Sequence, residues 1–189
     1  MKRLNKNIHI IFVIALVIIL GSCKMNNPNN KGFLLDNGKN YEVYITDDYL
    51  YNYYIYKNNK EIAYSEINIQ QPVTITEYDD LIKISKDYGT GLQVIAFFDI
   101  TNNLLSKNYS YVFANTRNMV AYIDVVDMNN RKIVVENIFN DDILYEEPMY
   151  DFAKIDTPII WASFSSDKVL QISYESSKDV VVDRTIQIE

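Results

Sequence analysis

Beyond the first thirty residues, the apolar positions alternate with polar ones. "PVTITEY" places Val73 and Ile75 on one face and Thr74 and Thr76 on the other. "LIKIS" sets Ile82 and Ile84 against Lys83. "KVLQISYES" sets Leu170, Ile172 and Tyr174 against Gln171, Ser173 and Glu175, and "DRTIQI" closes the chain in the same style. Successive side chains of a strand point to opposite faces, so period-two alternation predicts half-buried β-strands. "LQVIAFFDI" (92–100) and "RKIVVENIF" (131–139) are denser in apolar residues. They predict central strands buried on both faces.

The breaks between these runs are short and rich in asparagine. "YKNNKEI", "ITNNLL" and "DMNNRKI" each set an Asn-Asn pair between strand-like segments, and "LLDNGKNY" holds Asn37-Gly38. Asparagine and glycine tolerate the left-handed backbone that tight hairpins need. The pattern predicts about thirteen strands. The segment 141–156 is the least strand-like and predicts a short helix or an extended loop. The hairpins group into four meanders, near 41–69, 73–107, 119–147 and 159–188. The last of these resembles a β-propeller blade in rhythm: strand, Ser-Asp turn, strand, polar turn, strand. The expected fold is therefore all-β, built from antiparallel meanders. Propeller-like repeats are favoured over a sandwich or barrel, and an N-terminal signal helix precedes them.

The first residues follow another rule. Lys2, Arg3 and Lys6 precede an apolar stretch over residues 8–20, and Gly21-Ser22-Cys23 follows. The stretch is shorter than the roughly 20 residues a membrane-spanning helix needs, and it suits the core of a secretory signal. Leu20-Gly21-Ser22-Cys23 resembles the lipobox of bacterial lipoproteins. The resemblance implies acylation of Cys23, cleavage before it, and anchoring at the outer face of the cell membrane, since two or three acyl chains hold firmly. The organisation expected is a signal peptide over 1–22, a lipid-bearing tether over 23–32 and one all-β domain over 33–189. The tether "KMNNPNNKG" is polar and carries Pro and Gly, as flexible linkers do.

Removal of residues 1–22 changes the available chemistry. The single histidine, His9, leaves with the signal, and the single cysteine is the lipidated one. The domain then has no Ser–His or Cys–His nucleophile pair. It also lacks the ligands on which zinc, copper and haem sites rely, so neither a metal nor another cofactor is expected. Fifteen basic residues remain against 25 acidic ones, a net charge of −10. Such a domain has no attraction for nucleic acid, although it would be drawn to a cationic partner.

Several features are candidates for function. "DDYLYNYYIY" (47–56) puts Tyr49, Tyr51 and Tyr53 in one period-two series, a possible binding face for sugar rings or a protein. Tyrosine is also a good strand residue. The chain is rich in Asn, Ile, Lys and Tyr together, residues that share AT-rich codons, so structure and composition account for these rings equally well. Acidic residues cluster at Asp141, Asp142, Glu146, Glu147 and Asp151, and at Asp79 and Asp80. They lack the spacing of a calcium loop. "YGTGLQ" (88–93) reads as a hairpin turn rather than a phosphate loop. Trp161, in "IIWASF", reads as core packing.

The functional expectation is a lipid-anchored, non-enzymatic binding module at the cell envelope, with a protein or glycan partner. The surfaces to test are Tyr49, Tyr51, Tyr53, Asp141, Asp142, Glu146 and Glu147. One alternative is an inhibitor or immunity-type lipoprotein that blocks a basic envelope enzyme through charge. Another is a glycoside hydrolase that needs only two carboxylates.

Overall fold

A computed structural model describes residues 31–58, 61–89, 91–127, 130–150, 152–153 and 158–188. The expected signal helix over 1–22, Cys23 and most of the expected tether lie outside this range. Sixteen strands form among the described residues, all paired antiparallel. The first sheet runs in order β1 (Phe33–Asn37), β2 (Tyr41–Ile45), β3 (Tyr51–Lys57), β4 (Glu61–Ile69). The second is β5 (Val73–Tyr78), β6 (Leu81–Asp87), β7 (Gln93–Asp99), β8 (Leu104–Leu105), with β9 (Tyr109–Ser110) also on β7. The third is β10 (Val112–Asn115), β11 (Met119–Asp127), β12 (Asn130–Asn137), β13 (Ile143–Pro148). The fourth has three strands, β14 (Ile159–Ser166), β15 (Val169–Glu175) and β16 (Val181–Gln187).

Each meander folds as its own sheet because its short turns bring each strand beside the next, with β9 alone among the described strands returning past β8 to β7. Asn58 and Asn103 sit at turns with φ of 54° and 55°, the left-handed conformation that asparagine tolerates. In "YGTGLQ", Gly89 and Gly91 have φ of 77° and 80°, and Leu92 N–H bonds back to the Gly89 carbonyl at 3.0 Å. Gly38 meets a different demand: a Cβ there would lie 2.2 Å from the Tyr41 ring.

The core is divided among three junctions. Tyr41, Val43, Tyr53 and Ile55 of the first sheet pack against Val73, Ile75, Ile82, Ile84 and Phe98 of the second. Leu81, Ile95 and Phe97 of the second meet Val120 and Ile138 of the third, with Tyr109 between. Met119, Ala121, Ile133 and Val135 of the third meet Leu170, Ile172, Tyr174 and Ile186 of the fourth. A closed propeller needs one more junction, between the first and last sheets. No core cluster of described residues supplies it. Phe33, Leu34 and Leu35 on β1 and Ile160 and Trp161 on β14 stay at least half exposed. The expected propeller-like closure is therefore corrected. The fold is an open arrangement of four separate antiparallel sheets, since rhythm along the chain sets hairpins but not ring closure.

A second correction concerns residues 141–156. β13 occupies Ile143–Pro148 and pairs with β12 along its length. Its alternation is disguised because Glu147 takes a position on the Tyr145 side. That carboxylate is neutralised by Arg184, as described below.

Candidate functional site

The tyrosine-rich segment divides between turn, core and outer face. Tyr49 lies in the turn before β3, 80% exposed, with a left-handed φ of 58°. Tyr53 is 1% exposed within the first core, and Tyr51 packs against that core. Burial first, then the neighbouring Glu66 and Tyr64, push the Tyr53 phenol well above its ordinary value. The other face of β3 carries Tyr54 and Tyr56. Tyr56 donates to Glu42 at 2.6 Å, Tyr44 donates to the same oxygen at 2.8 Å, and Tyr54 meets Tyr44 edge to face. The aromatic surface of this sheet thus lies over Tyr44, Tyr54 and Tyr56, with Tyr49 beyond the strand end.

The acidic cluster disperses. Asp141 and Asp142 lie in the β12–β13 turn. Asp142 accepts from Asn140 Nδ2 at 2.7 Å, and Asp141 lies 3.6 Å from Lys107. Glu146 faces solvent beside Lys132 at 3.2 Å. Glu147, one residue on, points the other way and receives both arms of Arg184, at 2.9 and 2.6 Å. Asp151 lies outside the described residues. Among the described residues no three His, Cys, Asp or Glu side chains converge as a metal site.

Three carboxylates matter most to the architecture; Glu147 was a candidate from the sequence, whereas Glu66 and Glu136 were not. Each junction between neighbouring sheets holds a glutamate, a tyrosine and a cation. Glu66 on β4 accepts from Tyr64 at 2.9 Å and is ion-paired with Lys86 of the second sheet. Lys86 and Tyr64 hold its carboxyl below the usual range, although burial alone would raise it. Glu136 on β12 is 1% exposed, accepts from Tyr122 at 2.9 Å, and meets Lys107 at 2.8 Å. Lys107 reaches it from the β8–β9 link. The Tyr122 and Tyr109 phenols are pushed up, first by burial and then by the Glu136 carboxylate; Tyr122 donates to that carboxylate, and Tyr109 donates to the Ile138 carbonyl at 3.1 Å. Glu147 accepts from Tyr145 and from Arg184 of the fourth sheet. One signal for this was legible: Glu136 interrupts the apolar run "KIVVENIF", and a charge in a buried strand requires a partner.

The turns after β1, β3, β5, β7 and β10 share one end of the sheets, tied by polar bonds. Asn40 N–H and Nδ2 donate to Glu77, Lys57 donates to the Thr101 carbonyl, and Thr101 and Arg117 both bond Asp80. Between them lies an open polar cavity of about 540 Å³, lined by Lys39, Asn40, Asn58, Asp79, Asp80 and Thr101 over Ile100. Of its two carboxylates, Asp80 is held below the usual range by Thr101 and Arg117, against the opposing effect of burial. A smaller, mostly apolar cavity of about 180 Å³ lies where the second, third and fourth sheets meet. Gly91, Gln93, Tyr111, Phe113 and Ile159 contribute to its lining. Tyr111 has a φ of 54°, an uncommon strain for a bulky residue.

The last feature is an exposed apolar pair. Trp161 is 52% exposed and Ile160 59%, so the expected core role of Trp161 is corrected. The register between β14 and β15 shifts between Ile159 and Trp161. That bulge keeps Ile159, Ala162 and Phe164 packed on the core and leaves Ile160 and Trp161 outside. No family model matches the chain, and no protein of curated function matches it.

Proposed function

We propose that the chain is an extracytoplasmic lipoprotein, held at the cell membrane by acyl chains on Cys23. Its β domain acts as a binding module without enzymatic activity. The anchoring half of this reading rests on the signal layout that ends at Leu20-Gly21-Ser22-Cys23. The binding half is carried by one observation: Trp161 and Ile160 stand at least half exposed on an edge strand, although the domain buries three other apolar clusters. Large aromatic and aliphatic side chains left in water beside a rigid scaffold mark interaction surfaces. The clasped junctions support such rigidity, because each sheet is bolted to its neighbour by charge-assisted hydrogen bonds.

The test has two arms. Growth with a clickable fatty acid should label the chain, and Cys23→Ser should abolish the label. A photo-crosslinking residue at position 161, used in intact cells, should capture one dominant envelope protein or a defined glycan. No label together with no adduct overturns the reading.

A further inference from the structure

β16 is an open edge of unusual quality. The fourth sheet has three strands where the other three have four or five. Sheet edges left flat and unpaired are templates for another strand, and proteins blunt them with bulges, prolines or very short strands. Most edges here are blunted in that way. β4 shifts register twice and carries Asn68 at φ 58°. β8 is two residues long, and β13 ends in Pro148 after a register shift. β1, β10 and β14 are each bulged. β5 is regular over six residues, but the first sheet lies against it: Glu77 accepts from the Lys39 and Asn40 N–H groups of the β1–β2 turn. β16 alone is regular over seven residues with nothing described on its outer side.

The ladder shows which backbone groups are on offer. Ile188 N–H bonds to Lys168, and Ser176 N–H bonds to Val180, each at 2.9 Å. With the unbroken register between Val169↔Gln187 and Glu175↔Val181, residues 180, 182, 184, 186 and 188 bond inward to β15. Antiparallel strands alternate the direction of these groups. The N–H and C=O of Val181, Asp183, Thr185 and Gln187 therefore point outward, and all four residues are exposed.

We infer that β16 is a strand-addition site for an extended, cationic segment of a partner protein. Backbone pairing along an edge supplies affinity, while alternate side chains supply selection. Charge selects the partner here. The chain after the signal carries −10, Asp183 is exposed on the edge, and the one cation of the strand, Arg184, is engaged by Glu147. A second copy of the chain would bring like charge to like; a segment with alternating lysines would not. The inference rests on the binding-module reading and adds a second site to it, on the edge of the fourth sheet opposite the β14 edge that carries Trp161.

The probe is an N-acetylated decapeptide of alternating lysine and valine, added to the full chain in detergent. Amide hydrogen exchange and binding are followed together. The expected result is new protection at Val181, Asp183, Thr185 and Gln187. Thr185→Pro removes one outward donor and no β15 bond, so it should weaken binding about tenfold, the worth of a hydrogen bond or two. Thr185→Ala should leave binding unchanged. The inference is overturned if the peptide does not bind, or if protection falls elsewhere. It is equally overturned if the four amides are already protected without peptide, as a second copy or the chain's own N-terminal segment would cause. A failed peptide together with a successful crosslink from position 161 removes the edge site and leaves the binding module standing.

Discussion

Arg184 on β16 grips Glu147 on β13 with both terminal guanidinium nitrogens, at 2.9 and 2.6 Å, and so ties the fourth sheet to the third. Both side chains are about one-third exposed (36% and 32%), so solvent screens the pair. Arg184→Ala is expected to cost about 1 kcal/mol, the upper range for screened pairs with good geometry. Arg184→Lys should recover only part of this, because the forked contact is lost. Urea unfolding midpoints decide it; equal midpoints for all three chains would show that the clasp contributes nothing.

The same clasp sets two limits in pH. Arg184 holds the Glu147 carboxyl below its ordinary value, against burial, with help from Tyr145. The ionised form therefore stabilises the fold at all pH above the unfolded carboxylate value, about 4.3. That contribution disappears as pH falls through the lower folded value. Tyr145 behaves in the opposite sense. Burial, and then its bond to Glu147, push its phenol from 10.0 to about 12. Stability from the neutral phenol is complete below pH 10 and is lost as pH rises through about 12. Ultraviolet titration of Tyr145→Phe should lack one late-ionising phenol relative to the parent chain.

Glu136 is the most buried carboxylate among the described ion pairs, 1% exposed, and its partner Lys107 is 43% exposed. Lys107→Met leaves that carboxylate without its cation and should cost about 3 kcal/mol. Combining it with Glu136→Leu removes the stranded charge but leaves Tyr122 without its acceptor. The double variant should therefore be more stable than Lys107→Met alone, though still below the parent. A double-mutant cycle with no coupling energy would refute the clasp at this junction.

Tyrosines of one sequence series should differ sharply. Tyr53→Ala empties a core position and should cost about 3–5 kcal/mol, as large-to-small aromatic changes do. Tyr49→Gly relieves a left-handed backbone at an exposed position and should raise the melting temperature. Thermal unfolding that ranks the two variants the other way would contradict their placement.

Trp161 provides an optical check, since it is the single tryptophan. Its emission should be red-shifted and quenched by acrylamide, as a ring 52% exposed requires. Trp161→Ser should change stability by no more than about 0.5 kcal/mol, as exposed substitutions do. Blue-shifted emission would place the ring in a core instead.

The hydrophobic pattern by itself determined the all-β class and most of the strands, about thirteen where sixteen form among the described residues. Alternation at 73–78, 81–87 and 169–175 needs only the pleat of a strand and a one-sided core. The Asn-rich turns then force sequential neighbours to pair, so the four sheets were legible as meanders. β13 was not, because Glu147 occupies a position that reads as solvent-facing until Arg184, 37 residues later, is brought beside it. The pairing of Lys107 with Glu136, and of Lys86 with Glu66, was hidden for the same reason. A charge declares that it needs a partner, but the partner's identity depends on how separate sheets pack. Tyr49, Tyr51 and Tyr53 show the same divide. Spacing put them in one series, and only the tertiary structure sent one to a turn and another to the core. Ring closure likewise belongs to packing between sheets, which a pattern along one strand does not encode.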